Sequence, residues 1–282
     1  MKRIVAMIWM LVGLTFSLRA NTAQSISVEK EIDWQAQQIR FTLRVAVDQQ
    51  ALPNSRQQAE GWIERERFRL IAQSLGDVVL DAQGSFKENA PRKNQVHWNL
   101  NLAATHAQRE YAVLSADLRY LEAVYTLSIT DLMRHISVDV KQRVLPLLTT
   151  NQREFAYSGI VIFVKSRLPI RGKFNQFSAL EPALAPSIFD ESGETLLSLA
   201  TINSRLFSEG KGGLSYTFDT NSQHWSPLQV GFNPLILSAV AVSGEYHITD
   251  IVIAQGDADR LRASAQAMEM LHNAKVLVVI QP

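Results

Sequence analysis

The chain has 282 residues, of which 46% are hydrophobic and 20% charged, so it is long enough for one large or two ordinary folded domains. It contains no cysteine, which excludes disulfide bonds, thiolate metal sites and a cysteine-linked lipid anchor. Its 28 basic and 27 acidic residues give a net charge of +1, with no clustered basic face. Such a chain is a poor candidate for nucleic-acid binding, which depends on neutralising phosphates.

The first residues have the pattern of a secretory signal peptide. Basic residues at positions 2 and 3 precede an apolar run over 4–18, and cleavage after Ala20 or Ala23 would follow a small residue. We therefore predict a signal peptide over 1–23 and a periplasmic or secreted protein. The alternative is a retained membrane anchor, although an apolar run of about fifteen residues is short for a membrane span. No later stretch reaches transmembrane length.

Removal of this segment would take three basic residues and leave 25 basic and 27 acidic ones, a net charge of −2.

Residues 24–150 are predicted to form an N-terminal α+β domain. Residues 25–32 and 38–47 alternate polar and apolar side chains, which is typical of half-buried antiparallel strands joined by a turn at 33–36. A long helix is predicted over 56–75, capped by the Pro-Asn-Ser sequence before it, and a second helix over 92–108. Residues 111–129 again favour extended structure. This pattern predicts a sheet with two helices packed on it.

Residues 151–282 are predicted to form a C-terminal α+β domain, with the boundary over 138–151. A strand begins at about 155, and Asp190 and Gly193 occupy the first and fourth positions of a type I turn in a hairpin. The last fifty residues indicate strand, strand, helix and strand. In this unit Asp257 is expected to cap a helix over 258–272. Residues 275–280 are apolar on both faces, which predicts a strand inside a sheet covered on both sides. The predicted fold class is therefore α+β, with two mixed domains, each a mostly antiparallel or mixed sheet with one or two packed helices.

No catalytic or cofactor signature stands out. The six histidines are scattered without the helical spacing of a zinc pair, and the glycines at 210–213 lack the residues of a phosphate-binding loop. We therefore predict no metal, no cofactor and no catalytic residue.

Acidic residues around the hairpin and the last helix could serve as acid and base or hold calcium, but each also has a structural role as a turn or cap residue; these are Asp190, Glu191, Glu194, Asp250, Asp257 and Asp259. Aromatic residues could line a carbohydrate or peptide groove, although core packing is the commoner role of such residues; these are Trp34, Trp62, Trp98, Trp225 and Tyr246.

Short segments of the C-terminal half contain a set of motif positions, which are Tyr157, Gly159, Pro182, Pro186, Asp190, Gly193, Pro234, Gly244, Thr249, Asp250 and Asp257. These segments resemble a family of exported bacterial proteins found mainly in spirochaetes. The similarity covers about 155–280 and extends more loosely to the front half. The family resembles, more distantly, the small α/β domain of the flagellar assembly protein FlgT and related envelope lipoproteins, although the missing cysteine removes a lipid anchor. The resemblance implies location and shape and carries over no catalytic residue.

Two functions follow as hypotheses. The first is a non-enzymatic periplasmic protein that binds or scaffolds another envelope or flagellar component, with edge strands that could recruit a strand of a protein partner. The alternative is a periplasmic hydrolase or small-ligand-binding protein that uses the Asp190–Glu194 turn together with Asp250, Asp257 or a histidine. Convergence of those acids with a histidine in one cleft would favour the alternative.

Overall fold

The structure is a computed structural model that describes residues 25–89, 96–138, 157–225 and 227–281. The predicted signal peptide, the first four residues of the predicted second helix and nearly all of the predicted domain boundary lie outside the described residues. Within those residues, no helix combines the length and apolar character that a membrane crossing requires.

The secondary structure of the described residues alternates short strands with a few helices. The helices are α1 (Asn54–Leu75), α2 (Leu100–Ala104), α3 (Ile129–Met133), α4 (Ser204–Ser208), α5 (Pro227–Val230), α6 (Gln255–Arg262) and α7 (Ala265–His272). The strands are β1 (Ser27–Asp33), β2 (Gln38–Ala46), β3 (Val79–Asp81), β4 (Gly84–Ser85), β5 (Val96–Trp98), β6 (Gln108–Leu114), β7 (Tyr120–Ser128), β8 (Ile136–Val138), β9 (Ile160–Val164), β10 (Leu168–Pro169), β11 (Phe177–Ser178), β12 (Ile188–Asp190), β13 (Thr195–Leu197), β14 (Ser215–Thr217), β15 (Leu235–Ser243), β16 (Asp250–Ile253) and β17 (Val276–Ile280).

The N-terminal domain is a four-stranded antiparallel sheet backed by α1. Its strand order is β1-β2-β7-β6, and Ile39, Phe41, Leu43 and Val45 of β2 are fully buried beneath the helix. The alternation along β2 puts every second side chain on one face, as predicted. The predicted cap is wrong, because α1 follows Pro53 with no side-chain hydrogen bond to its first turn.

Over its described part, 96–108, the predicted second helix is present only at Leu100–Ala104 and is wrong elsewhere. Residues Val96–Trp98 pair antiparallel with β8, and only Leu100–Ala104 is helical. The Asn99 side chain accepts a hydrogen bond from the Leu102 N–H at 3.0 Å and so starts the helix after the strand. The spacing of Val96, Leu100 and Ala103 fits a helix, but the pairing of β5 with a strand about forty residues later overrides that local preference.

The C-terminal domain is a seven-stranded mixed sheet in the order β13-β12-β16-β15-β9-β17-β14. The last strand, β17, lies between β9 and β14, and all five of its residues are buried, which confirms its predicted interior position. The predicted hairpin is also present, since β12 pairs antiparallel with β13 and the Gly193 N–H donates to the Asp190 carbonyl at 3.0 Å. Gly193 has a φ of +92°, which suits glycine.

The predicted final helix is two helices. α6 ends at Arg262 and α7 begins after Ser264, whose hydroxyl accepts a hydrogen bond from the Ala267 N–H at 3.2 Å. A serine that satisfies a free N–H in this way starts a new helix. Asp257 is not a cap: it lies in the first turn of α6, which already begins at Gln255.

The two domains share one continuous hydrophobic core and are joined by backbone hydrogen bonds. The carbonyls of Val79 and Leu80 in β3 accept from the N–H groups of Leu184 and Ala185, at 3.2 and 2.8 Å. The Ala82 carbonyl accepts from the Tyr246 N–H at 3.1 Å. The β3–β4 segment of the first domain therefore packs on the second domain, and it forms one wall of a cavity between them.

Candidate functional site: a cavity between the two domains

A cavity of about 310 Å³ lies where the β3–β4 segment and β5 meet the ends of β12 and β16. The first domain contributes a carboxylate, an amide and an aromatic ring, and the second contributes a hydroxyl, an aromatic ring and a carboxylate. These are Asp81, Asn89 and Trp98 from the first domain, and Ser187, Phe189 and Asp250 from the second. Apolar residues make up most of the remaining wall, as is common in ligand-binding cavities.

Asp250 is the most perturbed group of the cavity. It begins β16, is only 7% exposed, and accepts hydrogen bonds at Oδ1 from the Ser187 N–H at 2.8 Å and the Thr249 hydroxyl at 3.4 Å. Burial raises the pKa of Asp250 to about 6; the charge of Asp81 raises it further, and the two hydrogen bonds oppose the rise. At neutral pH Asp250 therefore carries a negative charge that its surroundings disfavour.

Asp81 reaches the cavity from the turn between β3 and β4. Its Oδ1 accepts from the Gln83 N–H at 2.9 Å and from the Asn89 side-chain amide at 3.3 Å. Asn89 is itself buried and also donates to the Gly84 carbonyl at 2.8 Å. These bonds fix the turn and hold Asp81 at the cavity wall, so the two domains each present one carboxylate to the same space.

Asp190, the other buried carboxylate, is satisfied by the protein. Its Oδ2 accepts from the Arg262 guanidinium at 2.6 Å, and its Oδ1 accepts from the Ser192 hydroxyl and the Glu194 N–H at 2.6 and 2.8 Å. Burial opposes ionisation, but these bonds outweigh it and hold the pKa of Asp190 well below its ordinary range. In the parallel pairing of β12 with β16, Ile188 is opposite Ile251 and Asp190 is opposite Ile253. Asp190 and Asp250 thus lie at opposite ends of this pair, about 10 Å apart along the strands.

The remaining candidate acids lie away from the cavity. Asp257 pairs with Arg260 on α6 at 3.3 Å, and Glu191 accepts from the Gln255 N–H at the start of the same helix at 2.9 Å. Neither belongs to the cavity wall. Asp190, Glu194 and Asp259 all contact the Arg262 guanidinium, at 2.6, 3.0 and 3.6 Å, so these three acids surround a cation and not a cleft. Of the predicted acids only Asp250 lines the cavity.

His247 has an acidic partner in each domain and so bridges them. Its ring nitrogens lie 2.9 Å from Glu181 Oε2 and 3.6 Å from Glu88 Oε2, and these carboxylates raise the pKa of His247, the Glu181 hydrogen bond most strongly. The cavity lining contains no histidine. The arrangement required for the hydrolase hypothesis, acids with a histidine in one cleft, is not found among the described residues.

The other motif positions shape the backbone. A Cβ at Gly159 would lie 2.6 Å from the Val230 backbone, and one at Gly244 would overlap the His247 carbonyl. The Tyr157 carbonyl accepts from the Gln266 side chain at 2.9 Å. Pro186 is buried immediately before Ser187, whereas Pro182 and Pro234 are partly exposed, and Thr249 is fully buried beside Asp250. Of the motif positions only Asp250 lines the cavity; Pro186 and Thr249 are buried next in the chain to the lining residues Ser187 and Asp250, and the rest are dispersed.

Sequence reasoning missed Asp81 and Asn89 and assigned Trp98 to a helix. Trp98 was one of the aromatic residues proposed to line a groove, and it does line the cavity. No local pattern marks Asp81, because its role depends on a domain contact between segments about one hundred residues apart in the chain. Among the described residues, no group of three or more histidine, aspartate or glutamate side chains is arranged to hold a metal ion.

Comparison with known families places both domains. Residues 25–135 match the family model of the N-terminal domain of Treponema pallidum Tp0624, and residues 159–282 match that of its second domain. No curated protein matches the chain significantly. The two matches agree with the predicted resemblance to a spirochaete family. They cover most of the chain, and it therefore belongs to the Tp0624 family of Treponema pallidum.

Proposed function

We propose that this protein is a non-enzymatic component of the cell envelope that binds another protein, and that β6 is the strand on which the partner docks. The observation that supports the proposal is the exposed, apolar edge of the N-terminal sheet. β6 is the last strand of that sheet among the described residues, so its outer backbone groups face away from β7. An extended partner segment can pair with such an edge and bury its side chains against those of the strand.

The side chains beside this edge suit a protein partner. Tyr111 and Val113 of β6 and Tyr120 of β7 are 53%, 49% and 45% exposed. The pairing of Tyr111 with Val124 and of Val113 with Glu122 puts these side chains on the face opposite α1. They form an apolar strip along the edge strand, and exposed apolar strips of this kind are typical of interaction surfaces.

The strand is held in place from its other face. The Arg109 guanidinium contacts Glu60 and Glu64 of α1 at 2.5 and 3.3 Å, which ties β6 to the helix. A bulge at Arg109 and Tyr111 ends the regular register there, so a partner strand would pair with the apolar half of β6. A preformed strand lowers the entropic cost of binding.

The opposite edge of the same sheet has a different character. The sequence of β1 is SVEKEID, in which Glu29 and Glu31 are exposed. Charged residues on an edge strand discourage pairing with other strands. The contrast between β1 and β6 is the reason for placing the docking strand at β6.

Two further observations support the non-enzymatic and envelope parts of the proposal. The candidate acids are divided among a satisfied ion pair, a helix surface and the cavity, and the N-terminal pattern is that of an exported protein. The sequence resemblance to FlgT makes a flagellar component one candidate partner.

The test is site-specific photocrosslinking in native envelopes, with the photoreactive residue at Val113 and, as a control, at Ser27 on β1. A discrete adduct with another protein from position 113, absent from position 27, is the expected result. Val113→Lys should abolish stable complex formation, whereas Ser27→Lys, with the same charge change on the other edge, should not. Both variants should have the melting temperature of the wild type, because both positions are exposed.

Equal crosslinking from both positions, or a complex that survives Val113→Lys, would contradict the proposal. The proposal would also be overturned if the adduct joined two copies of this chain and sedimentation showed a dimer that Val113→Lys dissociates. That result would show that the edge strand serves self-association.

A further inference from the structure

The interdomain cavity has a feature that a purely structural role does not explain. Both hydrogen bonds to Asp250 end on Oδ1, and Oδ2 accepts none from the described residues. Asp250 is nevertheless only 7% exposed, and it forms part of the cavity wall. A buried carboxylate without a countercharge is costly, and proteins normally pair such a group, as Arg262 does for Asp190.

The second carboxylate increases that cost. Asp81 lies close enough for its charge to raise the pKa of Asp250. Its own hydrogen bonds come from the neutral donors of Gln83 and Asn89, and among the described residues no basic side chain is part of the cavity lining. The described lining of the cavity therefore has a net negative charge at neutral pH, with no basic side chain in it to balance that charge.

The size and walls of the cavity indicate what kind of cation would fit. Its volume of about 310 Å³ is far larger than a bare metal ion needs. Calcium and magnesium take six or more oxygen ligands, whereas the described residues bring only two carboxylates to this cavity. Leu80, Val96, Trp98 and Leu199 give it an apolar wall suited to an alkyl chain. An aromatic ring such as that of Trp98 also attracts ammonium and guanidinium groups.

We infer that this cavity binds a small organic cation, a primary ammonium or guanidinium group on a short alkyl chain, with Asp250 and Asp81 as its counterions and Trp98 against the chain. The cation would supply the missing partner of Asp250 Oδ2. The same chemistry could come from a free amine or from a lysine or arginine side chain of a peptide. This inference concerns a different surface from β6, so it does not depend on the proposed protein partner.

The experiment is calorimetric titration of the purified chain with agmatine, cadaverine and n-butylamine, and with a tripeptide that has a central lysine. The uncharged N-butylacetamide and calcium chloride are the comparison ligands. Binding of at least one organic cation, with N-butylacetamide at least about tenfold weaker, is expected. Tighter binding of the free amines would identify a site for a small-molecule amine, and tighter binding of the tripeptide would identify a site for a basic side chain of a peptide. Either result supports the inference.

Variants test the assigned residues. Asp250→Asn and Asp81→Asn should each weaken cation binding about tenfold or more, because each removes one of the two charges. Asp33→Asn is the matched control: Asp33 is the exposed last residue of β1 and lies outside the cavity lining, so this variant should bind as the wild type does. Asp81→Asn tests the site independently of any effect that Asp250→Asn has on folding. Melting curves show whether each variant is folded.

Failure of all four cationic probes to bind at millimolar concentration would overturn the inference. Equal binding by Asp250→Asn, equal binding of N-butylacetamide, or binding of calcium in place of the amines would overturn it as well.

Discussion

Asp250→Asn is expected to stabilise the protein at neutral pH. The ordinary pKa of an aspartate is 3.8, and burial with the Asp81 charge raises that of Asp250 to about 6. Because the unfolded chain loses this proton at a lower pH than the folded one, ionisation in the folded state costs about 3 kcal/mol at pH 7. Asparagine imitates the protonated acid, and its side-chain oxygen can still accept from the Ser187 N–H, so the variant avoids this cost.

The stability gained from Asp250→Asn is expected to increase with pH. At pH 4 the folded state keeps Asp250 protonated and the unfolded state is only partly ionised, so the gain from asparagine falls to about 0.5 kcal/mol. The stability that the wild type draws from protonated Asp250 is thus present at low pH and lost as the pH rises through about 6. The difference between variant and wild type should therefore grow from pH 4 to pH 7.

The assay is urea unfolding of both proteins at pH 4, 5, 6 and 7, followed by tryptophan fluorescence, with melting curves beside it. A gain of about 3 kcal/mol corresponds to about 5–10 °C in melting temperature for a chain of this size. Asp33→Asn serves as the control and should change the unfolding free energy by less than about 0.5 kcal/mol at every pH. A destabilised Asp250→Asn protein at pH 7, or a gain that does not change with pH, would refute the reasoning.

Asp190→Ala is expected to destabilise the protein by about 3–5 kcal/mol at pH 7, because it leaves Arg262 buried without its closest partner; urea unfolding measures this. Since the pKa of Asp190 is lowered on folding, its stabilisation is present above the ordinary value of 3.8 and lost as the pH falls. A loss below about 1 kcal/mol would show that Glu194 alone can hold Arg262. His247→Gln should cost about 0.5–1 kcal/mol at pH 6 and less at pH 9, because the contribution of a histidine whose pKa is raised by Glu181 and Glu88 is present below 6.5 and lost as the pH rises. An equal effect at both values in thermal melts would contradict a charged pairing.

Local pattern was sufficient for the elements whose side chains repeat regularly. The alternation in β2 and the long apolar stripe of α1 predicted both elements to within about two residues. Five consecutive apolar residues at 276–280 predicted a strand covered on both faces, as found for β17. Turn chemistry predicted the hairpin at Asp190 and Gly193, because few residue types suit those two positions.

Pattern failed where one stretch fits two structures. Val96, Leu100 and Ala103 have helical spacing, yet the pairing of β5 with β8 decides the structure of the first residues. The break between α6 and α7 depends on a single hydrogen bond from Ala267 to Ser264, which an apolar stripe running through both helices conceals. In both cases the helix was predicted from the spacing of apolar residues, and that spacing contains no information about the contact that decides the structure.

The sequence by itself determined the α+β class, the hairpin and the buried last strand, because each follows from residue types a few positions apart. Only the tertiary structure decided which aspartate is a structural residue and which is a candidate for binding. Asp190 and Asp250 lie at the two ends of neighbouring parallel strands and are both buried. Asp190 meets Arg262, and its charge is stabilised, whereas Asp250 meets Asp81 across a cavity, and its charge is not. The residue type is the same at both positions, and the difference in pKa arises from the burial, the hydrogen bonds and the neighbouring charges that the fold gives each carboxylate.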